Sequence, residues 1–150
     1  MSDLRSLGHN GPLVNSIGLG TMSIAGAYGQ QNTPEEKLAF LDHAHSIGQR
    51  FWDTADIYFD SEAIIGQWFK RSGRRDDIFL ATKFGLSYDA SMNQSIRSDP
   101  EYVRMACERS LEKLGVEAID LYYCHRADGV TPIEKTVEAM AQLKRSVLSE

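Results

Sequence analysis

Phe51-Trp52-Asp53-Thr54-Ala55-Asp56-Ile57-Tyr58 is the stretch that decides the fold: an apolar run ends on an acid, and a tyrosine follows five residues later. Two later segments share this grammar. Ile78-Phe79-Leu80-Ala81-Thr82 runs into Lys83, and Ile119-Asp120-Leu121-Tyr122-Tyr123-Cys124 runs into His125. Three apolar strands therefore each end on an ionisable group. In a parallel α/β array all strand carboxyl ends open on one face, so Asp53, Lys83 and His125 are expected to meet there beside Tyr58.

Helix signals fall between these strands. Thr33-Pro34-Glu35-Glu36 reads as a capping box with proline at the first helical position, Leu38, Leu41 and Ala44 give helical spacing, and Gly48 is the stop. Ser61 is placed to cap a second helix with Ile64, Ile65, Trp68 and Phe69 on its apolar face, ending at Gly73. Asp99-Pro100-Glu101 opens a third, with Val103, Cys107, Leu111 and Leu114 inward and Gly115 as the stop. Thr131-Pro132-Ile133-Glu134 repeats the capping box ahead of a fourth helix marked by Val137, Met140, Ala141 and Val147. Strands are expected over residues 17–22, 49–54, 77–82 and 118–124, and a small hairpin over residues 1 to 15 turns at His9-Asn10-Gly11-Pro12, with Leu7 and Val14 on its arms. The segment from Ser87 to Ser98 is polar and reads as a loop long enough to border a site. A hairpin followed by four strand–helix units implies a parallel sheet, either doubly wound or part of an eight-unit barrel.

The chain has 150 residues, 42% hydrophobic and 25% charged, enough for one soluble domain with a core. The net charge of −5, without a Lys/Arg cluster, argues against nucleic acid or an anionic membrane as partner. No apolar run marks a signal peptide or a membrane span, so the cytosol is the expected location. Cys107 and Cys124 have neither CxxC nor metal-ligand spacing and read as free thiols.

Gly18-Leu19-Gly20 invites a dinucleotide-fold reading with Asp53 as the ribose-binding acid. Ser23 stands where the third glycine is needed, and Asp53 lies 33 residues after Gly20, against an expected spacing of roughly 20. Taken singly, Asp53 suits a cap, Lys83 a solvated strand end, His125 a satisfied polar residue and Tyr58 packing. Together on one face they suit proton delivery. A tyrosine of reference pKa about 10 keeps its proton at neutral pH, and a neighbouring ammonium stabilises its phenolate. Lys83 can supply that charge, Asp53 can orient Lys83, and His125 can donate a hydrogen bond to the same substrate oxygen, with Tyr58 as general acid. With no metal or nucleophile motif in the sequence, a hydride donor is expected from a cofactor.

Those residues lie in the motifs IGLGTM (17–22), FWDTADIY (51–58), FLATKFG (79–85), RSLEKLGVEAIDLYYCHR (109–126) and TVEAMAQLKR (136–145). With them the chain resembles the aldo-keto reductases over nearly its whole length and in the right order, most closely the branch of fungal and bacterial reductases and potassium-channel β subunits. The resemblance implies a TIM (β/α)8 barrel, of which residues 1–150 would be a single partial domain: the hairpin plus four βα units, an incomplete half-barrel. It implies an NADP(H)-dependent oxidoreductase reducing the carbonyl of small-molecule aldehydes and ketones, with Asp53, Tyr58, Lys83 and His125 as the catalytic tetrad and Tyr58 as proton donor. Gly20, Thr21 and Met22, with Asp53, fall near the nicotinamide ribose.

Two departures qualify this expectation. Phe59 follows Tyr58 where the family often has glycine. A (β/α)8 barrel needs roughly 250 residues, and the run Lys144-Arg145-Ser146-Val147-Leu148-Ser149-Glu150 reads as a small deletion joined to the family's LSE. A truncated half-barrel would leave two parallel edges open to self-association. It would also lack most of the adenine-ribose and phosphate contacts. Charge-assisted hydrogen bonds contribute about 1.5–3 kcal/mol each, so losing three weakens cofactor binding by about three to six orders of magnitude. The alternative expectation is thus a catalytically dead half-barrel with an interaction or regulatory role. Tyr28, Trp52 and the Ser87–Ser98 loop are the remaining candidates for pocket walls.

Overall fold

The computed structural model describes residues 3–27, 29, 32–88, 91 and 93–146, with side chains to Lys144. Tyr28 and Val147, named above as pocket wall and helix marker, lie outside these residues, as does the end of the chain from 147 onward.

Leu4–Ser6 (β1) and Leu13–Asn15 (β2) pair antiparallel, with Arg5 opposite Val14. Leu7 lies just beyond β1, its N–H bonded to the Pro12 carbonyl at 2.9 Å. Leu19–Gly20 (β3) is two residues long, because Met22–Ala25 coils at once into a 3-10 turn; the expected strand over residues 17–22 is correspondingly shorter. Pro34–Ser46 (α1), Phe51–Asp53 (β4), Ser61–Ser72 (α2) and Phe79–Phe84 (β5) follow.

The segment read as a loop is a hairpin, Leu86–Tyr88 (β6) against Gln94–Ile96 (β7), with Ser87 facing Ser95. Its polar sequence hid it: β7 is exposed throughout, and Leu86 alone is buried in β6. Pro100–Leu114 (α3), Leu121–Cys124 (β8) and Ile133–Ser146 (α4) complete the described chain.

β3, β4, β5 and β8 form one parallel sheet in that order, each followed by its helix. This is four consecutive units of a (β/α)8 barrel, an incomplete half-barrel with β3 and β8 at its edges. The helices start where local chemistry dictates. Thr33 and Glu36 make both bonds of a capping box, at 3.3 and 2.8 Å, and Asp99 accepts from the Tyr102 N–H at 3.0 Å. Ser61, expected as a cap, is instead the first residue of α2 and points into the protein. Thr131, expected to open a capping box, turns its hydroxyl back to Asp128 at 2.8 Å.

The core lies between sheet and helices. Trp52 and Leu80 face outward from the sheet, fully buried against Ile65, Trp68, Phe69 and Val103. The Trp52 and Trp68 rings are 4.7 Å apart. Full burial of each such side chain stabilises by about 1.5–3 kcal/mol. Trp52 is therefore core rather than pocket wall. In α4 the buried positions are Thr136, Ala139 and Leu143, with Met140 packed against the core as expected, while Val137 is 55% exposed and Ala141 is also exposed. Cys107 and Cys124 are free thiols, and burial pushes Cys107 up to about 11. Among the described residues no helix is long and apolar enough to cross a membrane.

Candidate active site

The sheet register builds the site. Gly20 pairs with Asp53, Asp53 with Ala81, and Lys83, two residues further along β5, with Tyr123. In-register neighbours share a face and residues two apart on a strand share it too. Asp53, Lys83 and, one step past β8, His125 thus project to the side away from the helices. The His125 N–H continues the ladder to the Phe84 carbonyl at 2.7 Å.

Lys83 Nζ is ion-paired to Asp53 Oδ1 and donates to the Thr54 carbonyl at 2.6 Å. The Lys83 and Asp53 side chains are 14% and 30% exposed, so the pair is shielded yet open to one side. Tyr58 hangs over it from the β4–α2 loop, its ring centroid 5.1 Å from Lys83 Nζ. The His125 ring meets the Tyr58 ring edge-on at 5.9 Å. All four expected residues are brought together. Burial first, then the charges of Lys83 and Arg126, hold His125 below its ordinary pKa, against the opposing pull of Asp53. The imidazole is therefore neutral at pH 7, and its Nδ1 is buried without a hydrogen-bond partner among the described residues.

Gly20, Thr21 and Met22 differ in what they offer. Gly20 has open space where a Cβ would stand. Met22 lines a cavity of about 220 Å³ together with Tyr58, His125 and Arg126. Thr21 is fully buried, and its N–H and hydroxyl both go to the Asp53 carbonyl, at 2.9 and 3.0 Å. Its hydroxyl also accepts from Ser61 at 2.8 Å, and Ser61 accepts from Thr54 at 3.0 Å. This chain of three buried hydroxyls ties the loop after β3 to the strand end that carries Asp53. Thr21 positions the loop and has no side-chain atom facing the cavity.

Sequence reasoning missed a second group of charges. Asp56 lies between the β4–α2 loop and α3, its Oδ2 3.5 Å from the Tyr102 hydroxyl and its Oδ1 buried without a partner among the described residues. Burial foremost, then the nearby Glu62 carboxylate, push Asp56 up to about 7, although Arg109 and Lys113 oppose this. Glu62 is itself 1% exposed, accepting from Thr82 at 2.8 Å and lying 3.7 Å from Lys113 Nζ. Nothing local in Ala55-Asp56-Ile57 announces this, because Tyr102, Arg109 and Lys113 reach Asp56 from α3, far along the chain.

Comparison with known proteins agrees with this geometry. The profile of the Aldo/keto reductase family matches residues 16–146. Aldo-keto reductase str7 of Strobilurus tenacellus is 52% identical over 136 residues, covering 87% of this chain and 39% of that protein. Aldo-keto reductase yakc [NADP(+)] of Schizosaccharomyces pombe is 44% identical over 130 residues, covering 85% and 38%. Among solved structures, the holo form of aldo-keto reductase AKR11C1 from Bacillus halodurans superposes with a TM-score of 0.87 at 30% identity, over 99% of this chain and 48% of that one. The chain thus spans about two fifths of the length of these curated relatives and about half of that structure.

Proposed function

The chain belongs to the aldo/keto reductase family, and from that premise we propose that it carries the proton-delivery half of an NADP(H)-dependent reduction of aldehydes and ketones. The observation that supports this most directly is the placement of Lys83 Nζ between the Asp53 carboxylate, the Thr54 carbonyl and the Tyr58 ring, with His125 edge-on to that ring. The relative from Schizosaccharomyces pombe bears NADP(+) in its name, which favours this cofactor. The residues fit its nicotinamide end: space is open over Gly20, and Met22 stands on one cavity with Tyr58 and His125. Gly20, Met22 and Asp53 would hold it there, with Thr21 acting through the loop it anchors. When bound, NADP(H) supplies the hydride.

The chain's own residues manage the proton. Tyr58 holds it on Oη and gives it to the substrate oxygen as negative charge develops there. The Lys83 ammonium stabilises the phenolate left behind, and Asp53 keeps Lys83 beneath the ring. Neutral His125 offers a ring N–H to the same oxygen and orients the carbonyl.

Titration with NADPH followed by cofactor fluorescence checks the cofactor part, and absence of binding at millimolar concentration overturns it. Where reduction of a small aldehyde is measurable, Tyr58→Phe is expected to lower kcat by about 10²–10⁴-fold, the range for a general acid, with cofactor affinity unchanged. An undiminished kcat would remove Tyr58 from the proton-donor role.

A further inference from the structure

Phe59, the residue after Tyr58, has a backbone φ of 41°. For a bulky side chain this left-handed conformation is an outlier, tolerated only where the surroundings impose it, and glycine would adopt it freely. The strain brings no core burial, since Phe59 is 62% exposed. Instead its ring stacks on Tyr88 of β6, centroids 6.5 Å apart and planes 15° from parallel. Tyr88 is 44% exposed. Two exposed rings from separate elements thus form one wall, and that wall borders the same cavity as Tyr58 and His125. Ile57 and Leu86 continue it as apolar lining.

We propose that Phe59 is a specificity-determining residue, forming with Tyr88 an aromatic wall that takes the flat aryl substituent of a carbonyl substrate whose oxygen faces Tyr58 and His125. This deepens the reductase reading and rests on it. An aromatic wall favours a ring over an alkyl chain because offset and edge-to-face contacts add to plain burial. Ile57, Phe59, Leu86 and Tyr88 also border a second cavity, which Asp56, Arg109 and Lys113 line with them.

The test compares benzaldehyde with butyraldehyde as probes, by ligand-observed NMR on the 150-residue chain, for wild type, Phe59→Gly and Phe59→Tyr. Wild type and Phe59→Tyr are expected to bind benzaldehyde about 3–10-fold more tightly than butyraldehyde, the range of one aromatic contact. In Phe59→Gly the ratio falls to near one. The glycine variant should melt no lower than wild type because it relieves the strain at residue 59, so lost selectivity cannot be ascribed to unfolding. A ratio unchanged by Phe59→Gly overturns the proposal, as does a wild-type ratio of one. Aryl preference in binding without any reduction in the presence of NADPH would sink the reductase reading and leave the aromatic wall standing. Reduction of both aldehydes with equal kcat/KM would do the reverse.

Discussion

At the scale of single residues, the buried hydroxyl chain shows how little of the site's support is visible locally. Thr54 donates to Ser61, Ser61 to Thr21 and Thr21 to the Asp53 carbonyl. Ser61→Ala removes the middle link and leaves Thr54 Oγ1 without its acceptor. A buried polar group stripped of its partner costs about 1–3 kcal/mol, so denaturant unfolding should show a loss of that size, and a change below about 0.5 kcal/mol would dismiss the chain as a support. In the sequence, Ser61 has the features of a helix cap, since a serine just ahead of an apolar helical run carries the same signal whether its hydroxyl turns to the helix end or into the protein. The gathering of Asp53, Lys83 and His125, in contrast, was legible: each ends an apolar strand, and parallel strands bring their ends to one face whatever surrounds them. Asp56 was not legible, because the groups that act on it come from a distant helix: the Tyr102 hydroxyl 3.5 Å from its Oδ2 and the charges of Arg109 and Lys113.

At the scale of elements, the helices were readable from caps and periodicity, and the strands were readable as apolar runs but not in extent. β3 is short because Met22 begins a 3-10 turn, and the β6–β7 hairpin has no apolar alternation because one of its strands faces solvent throughout. The fourth helix buries Ala139 and Leu143 and exposes Val137, and it also buries Thr136, whose hydroxyl donates to the Ser98 carbonyl at 2.7 Å, a partner the helical spacing does not announce. Contact between helices explains Gly66. In an exposed helix Gly→Ala stabilises by about 1 kcal/mol. Here a Cβ on residue 66 would stand 2.5 Å from the Lys113 carbonyl oxygen and 2.8 Å from that of Leu114. Both are backbone atoms at the end of α3, which cannot turn aside as a side chain would. Overpacking of this kind costs about 1–3 kcal/mol, so the steric cost outweighs the propensity gain. Gly66→Ala should lower the unfolding midpoint, and a raised midpoint would mean that α2 and α3 can separate without penalty.

At the scale of the whole molecule, the sheet's outward face packs against helices into a core, while its inward face carries charges: Asp53, Lys83 and, beyond β8, His125. The Asp56–Glu62–Arg109–Lys113 group adds a second set of charges between sheet and helices, and it governs how stability responds to pH. Asp56 has a folded pKa of about 7 against 3.8 for the free group. The folded state therefore keeps a proton that the unfolded state has released, and stability falls as pH rises from about 4 to about 7, the reverse of the usual aspartate. Some two pH units of that window lie between pH 5 and 7, and at about 1.4 kcal/mol per unit the contribution has a ceiling of about 3 kcal/mol. His125, held below its ordinary pKa, acts in the opposite sense: as pH falls below 6.5 the unfolded state takes up a proton the folded state resists, and stability is lost. Asp77, Asp99 and Asp128, all held below the usual carboxylate range, lose their contribution only at pH values under about 4. The Asp56 effect is isolated by Asp56→Asn, which mimics the protonated acid. Denaturant unfolding should show the gap between the two proteins widening in the variant's favour from pH 5 to pH 8, by up to about 3 kcal/mol. A variant that tracks the wild type at both pH values would show that Arg109 and Lys113 fully neutralise Asp56, and that the carboxylate is buried as an anion.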